Sequence, residues 1–89
     1  MQVTKTEDVM EFLRRTIAGL TENPLLEQQL KDDEQIQDAG MDSIRIINMV
    51  VQIELQYDVV FDDEELLIEN FATIKAIARQ IGQKLGVQP

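Results

Sequence analysis

The 89-residue chain has no cysteine, no histidine and no tryptophan. Without cysteine there is no disulfide framework and no protein thiol to serve as nucleophile. Without histidine the commonest general base and metal ligand is missing. Together these absences exclude most hydrolytic and metal-dependent chemistries. Bases are scarce too: 8 Lys and Arg stand against 17 Asp and Glu, a net charge of −9. No stretch approaches the roughly 18 apolar residues of a membrane span, and residues 1–11 are broken by Lys5, Glu7, Asp8 and Glu11. The expectation is a soluble, cytoplasmic protein whose partners include neither nucleic acid nor membrane. A chain this short holds one domain with a modest core, not an enzyme with separate cofactor and substrate lobes.

The acidity is uneven. Residues 22–69 carry fourteen acids and two bases, residues 1–21 balance three against three, and residues 70–89 hold only Lys75, Arg79 and Lys84. Such a middle section repels nucleic acid and favours encounter with basic protein patches, at rates that fall with salt. The plainer reading of the same charge is solubility.

Apolar spacing predicts helices and no strand. Val9, Phe12, Leu13, Ile17 and Leu20 recur at helical intervals, with Thr4 or Thr6 as N-cap and Glu7 and Asp8 in the first turn, so a first helix is expected over about residues 5–20. A long polar connection follows over residues 21–42. Within it Asn23-Pro24 can start a short helical turn, and Leu25, Leu26, Leu30, Ile36 and Met41 are expected to pin the segment to the core. A second helix spans roughly Ser43 to Tyr57. Then Asp58 to Phe61 return towards the core, and the acids Asp62 to Glu65 suit the first turn of a short third helix. The alternating ligands and central glycine of a calcium loop are absent there, so no metal site is expected. Thr73 caps the last helix, whose stripe is Ile74, Ile77, Ala78, Ile81 and Leu85, and Gly82 and Gly86 mark its fraying end. The predicted fold is all-α: a small four-helix bundle with three main helices, a short third one and a long loop between helices 1 and 2. It forms a single domain over residues 1–89 with its core over about 5–85.

Gly40-Met41-Asp42-Ser43 sits where that long loop meets the second helix. Gly40 supplies a turn, Asp42 is placed to cap, and Ser43 puts a hydroxyl at the helix start. Unpaired N–H groups and the positive end of the helix dipole stabilise a phosphate ester at such a position, which points to a modified serine rather than a catalytic one. The helix behind it has two apolar stripes at 100° per residue. Ile46, Met49, Val50, Ile53 and Tyr57 form an ordinary core face, while Ile44, Ile47, Val51 and Leu55 lie roughly opposite. That second stripe is either covered in part by the loop or the third helix, or is a partner-docking surface that begins one residue after Ser43.

Asp42-Ser43-Ile44 resembles the Asp-Ser-Leu signature of acyl and peptidyl carrier proteins. The register extends the resemblance from Val9 to Leu85: Asp38 and Gly40 precede the motif, Tyr57 closes the second helix, and an acidic short helix leads to the Thr73-capped final one. The resemblance implies an acyl carrier-like fold and a carrier rather than an enzyme, with no catalytic residue. It implies that Ser43 bears 4′-phosphopantetheine, transferred from coenzyme A by a phosphopantetheinyl transferase, and that Asp42 belongs to the motif. Acyl or aminoacyl groups would ride on the arm's thiol as thioesters, and loading and processing enzymes would dock on Ile44, Ile47 and Val51. The chain is then expected to be free-standing, monomeric and a phosphoprotein by virtue of the arm.

Fatty-acid members of that family carry acids near the start of the second helix. Here Arg45 and Asn48 stand there, with only Glu54 further along. Arg45 can contact the arm's phosphate or an acidic group on a partner, or simply be solvated. The departures favour a specialised pathway, such as polyketide, nonribosomal peptide or aminoacyl transfer, over the housekeeping fatty-acid carrier. The largely aliphatic core is compatible with either a solid interior or a cargo pocket. An acidic helical adaptor without a prosthetic group is the other class to test. A serine enzyme is disfavoured, because no histidine or Ser-x-x-Lys lysine can activate Ser43.

Overall fold

A computed structural model describes residues 6–86. Its helices are α1 (Thr6–Leu20), α2 (Leu26–Gln29), α3 (Ser43–Tyr57) and α4 (Ile74–Leu85), with 3-10 turns at Ile36–Ala39, Asp63–Glu65 and Ile68–Phe71. There is no strand among the described residues. The all-α bundle expected from the apolar spacing is therefore present, and the bounds of α3 coincide with those expected. Thr6 is the first residue of α1, and the alternative cap Thr4 lies outside the described residues.

One core holds the elements together. Leu13, Ile17, Ile36, Met49, Ile53, Ile74, Ile77 and Ile81 are all fully buried in it. Helix α1 packs against α2, α3 and α4. Phe61 meets Phe71 edge-on at 5.4 Å, and Phe12 meets Tyr57 edge-on at 5.5 Å. Burial, reinforced by the nearby Asp8 carboxylate and opposed by Arg15, pushes the half-buried Tyr57 phenol above its usual range.

The long connection is tied down at both ends. Arg14 on α1 donates from Nε to the Leu30 carbonyl at 2.9 Å and forms an ion pair with Asp32. Further along, Ile36 N–H donates to Ala72 O and Lys75 N–H to Asp32 O, both at 2.9 Å, fastening the loop to the start of α4. Leu26 and Leu30 turn inward as neighbours one helical turn apart. Leu25 does not pin the segment as expected. It is 61% exposed, because two adjacent residues of one helical turn cannot both face the core.

The short third helix takes 3-10 form. The acids Asp62 to Glu65 start only a 3-10 turn, and a second such turn, Ile68–Phe71, follows after the extended Leu67. Asp62 N–H donates to Glu65 Oε1 at 2.8 Å, and Asn70 Nδ2 donates to Glu65 O at 3.0 Å. The first bond belongs to a capping box that starts the turn, and the second gives the Glu65 carbonyl to Asn70 instead of to a continuing α-helix. Nor does Val60 return to the core with Phe61; it is exposed. Gly82 lies inside α4 rather than at its end, and Gly86 closes that helix in the left-handed conformation, φ +74°.

Candidate functional site

The turn before α3 is built from its own backbone. Residues Ile36–Ala39 wind one 3-10 turn, which Gly40 ends at φ +108°, a conformation residues with a Cβ rarely adopt. Met41 N–H then donates to Ile36 O at 3.1 Å, and the Met41 side chain is buried. The chain is therefore fixed two residues before Ser43. Asp42 is extended, and its Oδ1 accepts the N–H of Arg45 at 2.9 Å, capping α3 as the sequence predicted.

Arg45 makes contacts that the sequence did not indicate. Its Nε donates to the Leu20 carbonyl at 3.0 Å, and one terminal nitrogen donates to Asp42 Oδ2 at 2.8 Å. The guanidinium thus ties the end of α1 to the cap of α3. It is tied into the fold rather than simply solvated. Asp42 thus bonds a backbone amide through Oδ1 and the guanidinium through Oδ2.

Ser43 is the first residue of α3, is exposed, and is the single serine in the sequence. Behind it the two stripes of α3 separate cleanly. Ile46, Met49, Val50 and Ile53 are buried, whereas Ile44, Ile47, Val51 and Leu55 are 72%, 62%, 47% and 80% exposed. Neither the long loop nor the 3-10 turns cover the second stripe. Ile47 and Val51 instead edge an apolar cleft of about 400 Å³ that begins at Ser43 and is walled on the far side by Phe61, Leu66, Leu67 and Phe71.

Those four far-wall residues were not recognised as site residues from sequence. The available signal was the pair Leu66-Leu67, two large apolar side chains directly after an acidic run with no helical repeat to bury them. A second unrecognised feature is Glu54, whose Oε2 accepts Phe61 N–H at 2.9 Å. It fastens the chain leaving α3 back onto that helix. Lys84 holds the opposite wall: its Nζ donates to Glu65 Oε1 at 2.8 Å and lies 4.8 Å from the centre of the Phe61 ring. This hydrogen bond, with that from Asp62 N–H, holds the Glu65 carboxyl below its ordinary range.

A glycine-set turn and a capped helix start thus present an exposed serine beside an apolar cleft. Residues 11–81 match the family described as "Phosphopantetheine attachment site", and the chain belongs to that family. It is similar to aminoacyl carrier protein 1 of Bradyrhizobium diazoefficiens, at 24% identity over 85 residues, covering 96% of this chain and 93% of that protein. It is also similar to aminoacyl carrier protein 2 of the same organism, at 21% identity over 79 residues and 89% of each chain. The protein is thus a carrier of covalent 4′-phosphopantetheine and not an enzyme. As a carrier it works with a phosphopantetheinyl transferase and with enzymes that load and process its cargo. No helix among the described residues is long and apolar enough to cross a membrane.

Proposed function

We propose that Ser43 is the attachment point and that the chain, read as one carrier domain, presents aminoacyl or acyl thioesters to the enzymes of a specialised biosynthetic pathway. The observation that carries this reading is that the only serine in the sequence is exposed at the first turn of α3 and lines the apolar cleft. Residue and group fit each other: the hydroxyl is accessible, the helix N-terminus favours the phosphodiester's charge, and the cleft offers apolar walls beside it. When bound, the arm supplies the thiol that this cysteine-free chain lacks.

In the transfer, Ser43 Oγ forms a phosphodiester with the phosphopantetheinyl group of coenzyme A and adenosine 3′,5′-bisphosphate leaves. The hydroxyl proton passes to a base of the transferase, because this chain has no histidine to take it. Ile44, Ile47 and Val51 form the docking surface for transferase and partner enzymes. The preference for aminoacyl cargo is supported by the similarity to two aminoacyl carrier proteins. Arg45 and Asn48, in place of the acids of fatty-acid carriers, support a dedicated pathway.

Intact-mass measurement after incubation with coenzyme A and a broad-specificity transferase tests the attachment. A gain of one phosphopantetheinyl group that disappears in Ser43→Ala is expected. An unmodified wild-type chain supports an adaptor without a prosthetic group instead.

A further inference from the structure

Apart from Ser43 and Glu54, the residues lining the cleft are apolar. Ser43, Ile47, Val50 and Glu54 follow one another at helical spacing along α3, and all four line it. Glu54 stands eleven residues beyond Ser43, about 16 Å along the helix axis. Among the described residues it is the single ionisable side chain in the lining. One of its oxygens, Oε2, accepts Phe61 N–H; Oε1 has no hydrogen-bond partner and Glu54 has no ion-pair partner among the described residues.

The bond to Phe61 does not explain the charge. A glutamine oxygen would accept the same N–H, so that bond fixes the place of the side chain in the cleft and makes no use of its charge. Lys84, which lies against the Phe61 ring of the far wall, is already paired with Glu65.

We propose that Glu54 is a specificity-determining residue whose free oxygen receives the α-ammonium group of an aminoacyl cargo held from Ser43. A neutral acyl cargo meets apolar walls alone and gains nothing from Glu54. The inference rests on Ser43 as the attachment point. It assigns to this cleft a preference for cationic over neutral cargo of equal size.

Glycyl and propionyl groups differ as an ammonium differs from a methyl, at nearly equal volume. Each is loaded onto the phosphopantetheinylated chain as the hydrolysis-resistant amide analogue of its thioester, and NMR shifts are read at the Phe61 amide and the Val50 and Val51 methyls. The glycyl form is expected to shift the Phe61 amide beyond the propionyl form, and Glu54→Gln is expected to abolish that excess while leaving the propionyl shifts in place. Equal shifts for the two cargoes, or a glycyl excess that survives Glu54→Gln, overturn the proposal. N-acetylglycyl cargo on the wild-type chain repeats the test without a substitution: loss of the excess is expected, and its persistence overturns the proposal. Failure to gain the arm's mass at Ser43 strikes the attachment reading instead, and is seen before any cargo is compared.

Discussion

Helices α3 and α4 both start behind an extended residue whose side-chain oxygen accepts the N–H three residues on. Asp42 takes that of Arg45 at 2.9 Å, and Thr73 takes that of Ala76 at 3.0 Å. The first residue inside α3 is Ser43, exposed; the first inside α4 is Ile74, fully buried. Local chemistry is therefore nearly the same at the two starts, and the surroundings decide what each is for. At α4 the loop carbonyl of Asp32 accepts the N–H of Lys75 and the helix start is packed into the core. At α3 the loop is anchored by Met41, behind the cap, so Ser43 faces solvent with the helix's positive end beneath it.

The largest expected effect separates the two first residues. Ile74→Ala removes a fully buried side chain and should cost about 2–5 kcal/mol in a urea unfolding titration. Ser43→Ala should change stability by less than about 0.5 kcal/mol while abolishing the mass gain with coenzyme A and transferase. A Ser43→Ala chain as destabilised as Ile74→Ala would make Ser43 a structural residue and erase the contrast.

Next in size is the contrast between the two stripes of α3. Ile47→Asp should leave the helical circular dichroism unchanged, because Ile47 is mostly exposed. The same change should slow phosphopantetheinyl transfer by about tenfold or more, equivalent to about 1.4 kcal/mol. Unchanged rates with the transferase and with cognate loading enzymes would remove Ile47 from the docking surface.

What the sequence revealed about these two helices follows from the range of the forces involved. Caps are local, so Asp42 and Thr73 could be read from a residue type and the apolar repeat behind it. The exposed stripe was legible because Ile44, Ile47, Val51 and Leu55 are apolar in excess of one core face. Arg45 was not legible, since its carbonyl partner at Leu20 lies 25 residues away and only the packing of α1 on α3 brings it near. The cleft's far wall was hidden for a related reason. Leu66 and Leu67 fall between two 3-10 turns, where no helical period marks a face, and the acids before them resembled an α-helical first turn. Glu54 looked like a stray docking acid until the fold brought Phe61 N–H to it, seven residues on.

The caps themselves rank third. Thr73→Ala should cost about 1 kcal/mol, as should loss of the cap in Asp42→Ala. Asp42→Asn keeps an oxygen for the Arg45 N–H and removes only the charge facing the guanidinium. That ion pair is substantially exposed, with side chains 42% and 57% accessible, so the Asn change should cost less than about 0.5 kcal/mol. If Asn costs as much as Ala, the guanidinium bond rather than the cap holds α3's start, and the likeness of the two helix starts fails at its root.

The smallest effect concerns the link between the end of α4 and the wall that faces α3. The Lys84 hydrogen bond, then that of Asp62 N–H, holds the Glu65 carboxyl below its ordinary value of 4.5. A carboxylate stabilised in the folded state binds fewer protons there than in the unfolded chain. Its contribution is therefore complete above pH 4.5 and is lost as pH falls through the lowered folded value. Lys84→Met keeps an apolar stem beside Phe61 and deletes the ammonium. The variant should be less stable than wild type near pH 7, and the gap between their urea midpoints should narrow as pH falls below 4.5. A gap that stays constant with pH would assign the contribution of Lys84 to its stem on the Phe61 ring, leaving the cleft wall held by packing alone.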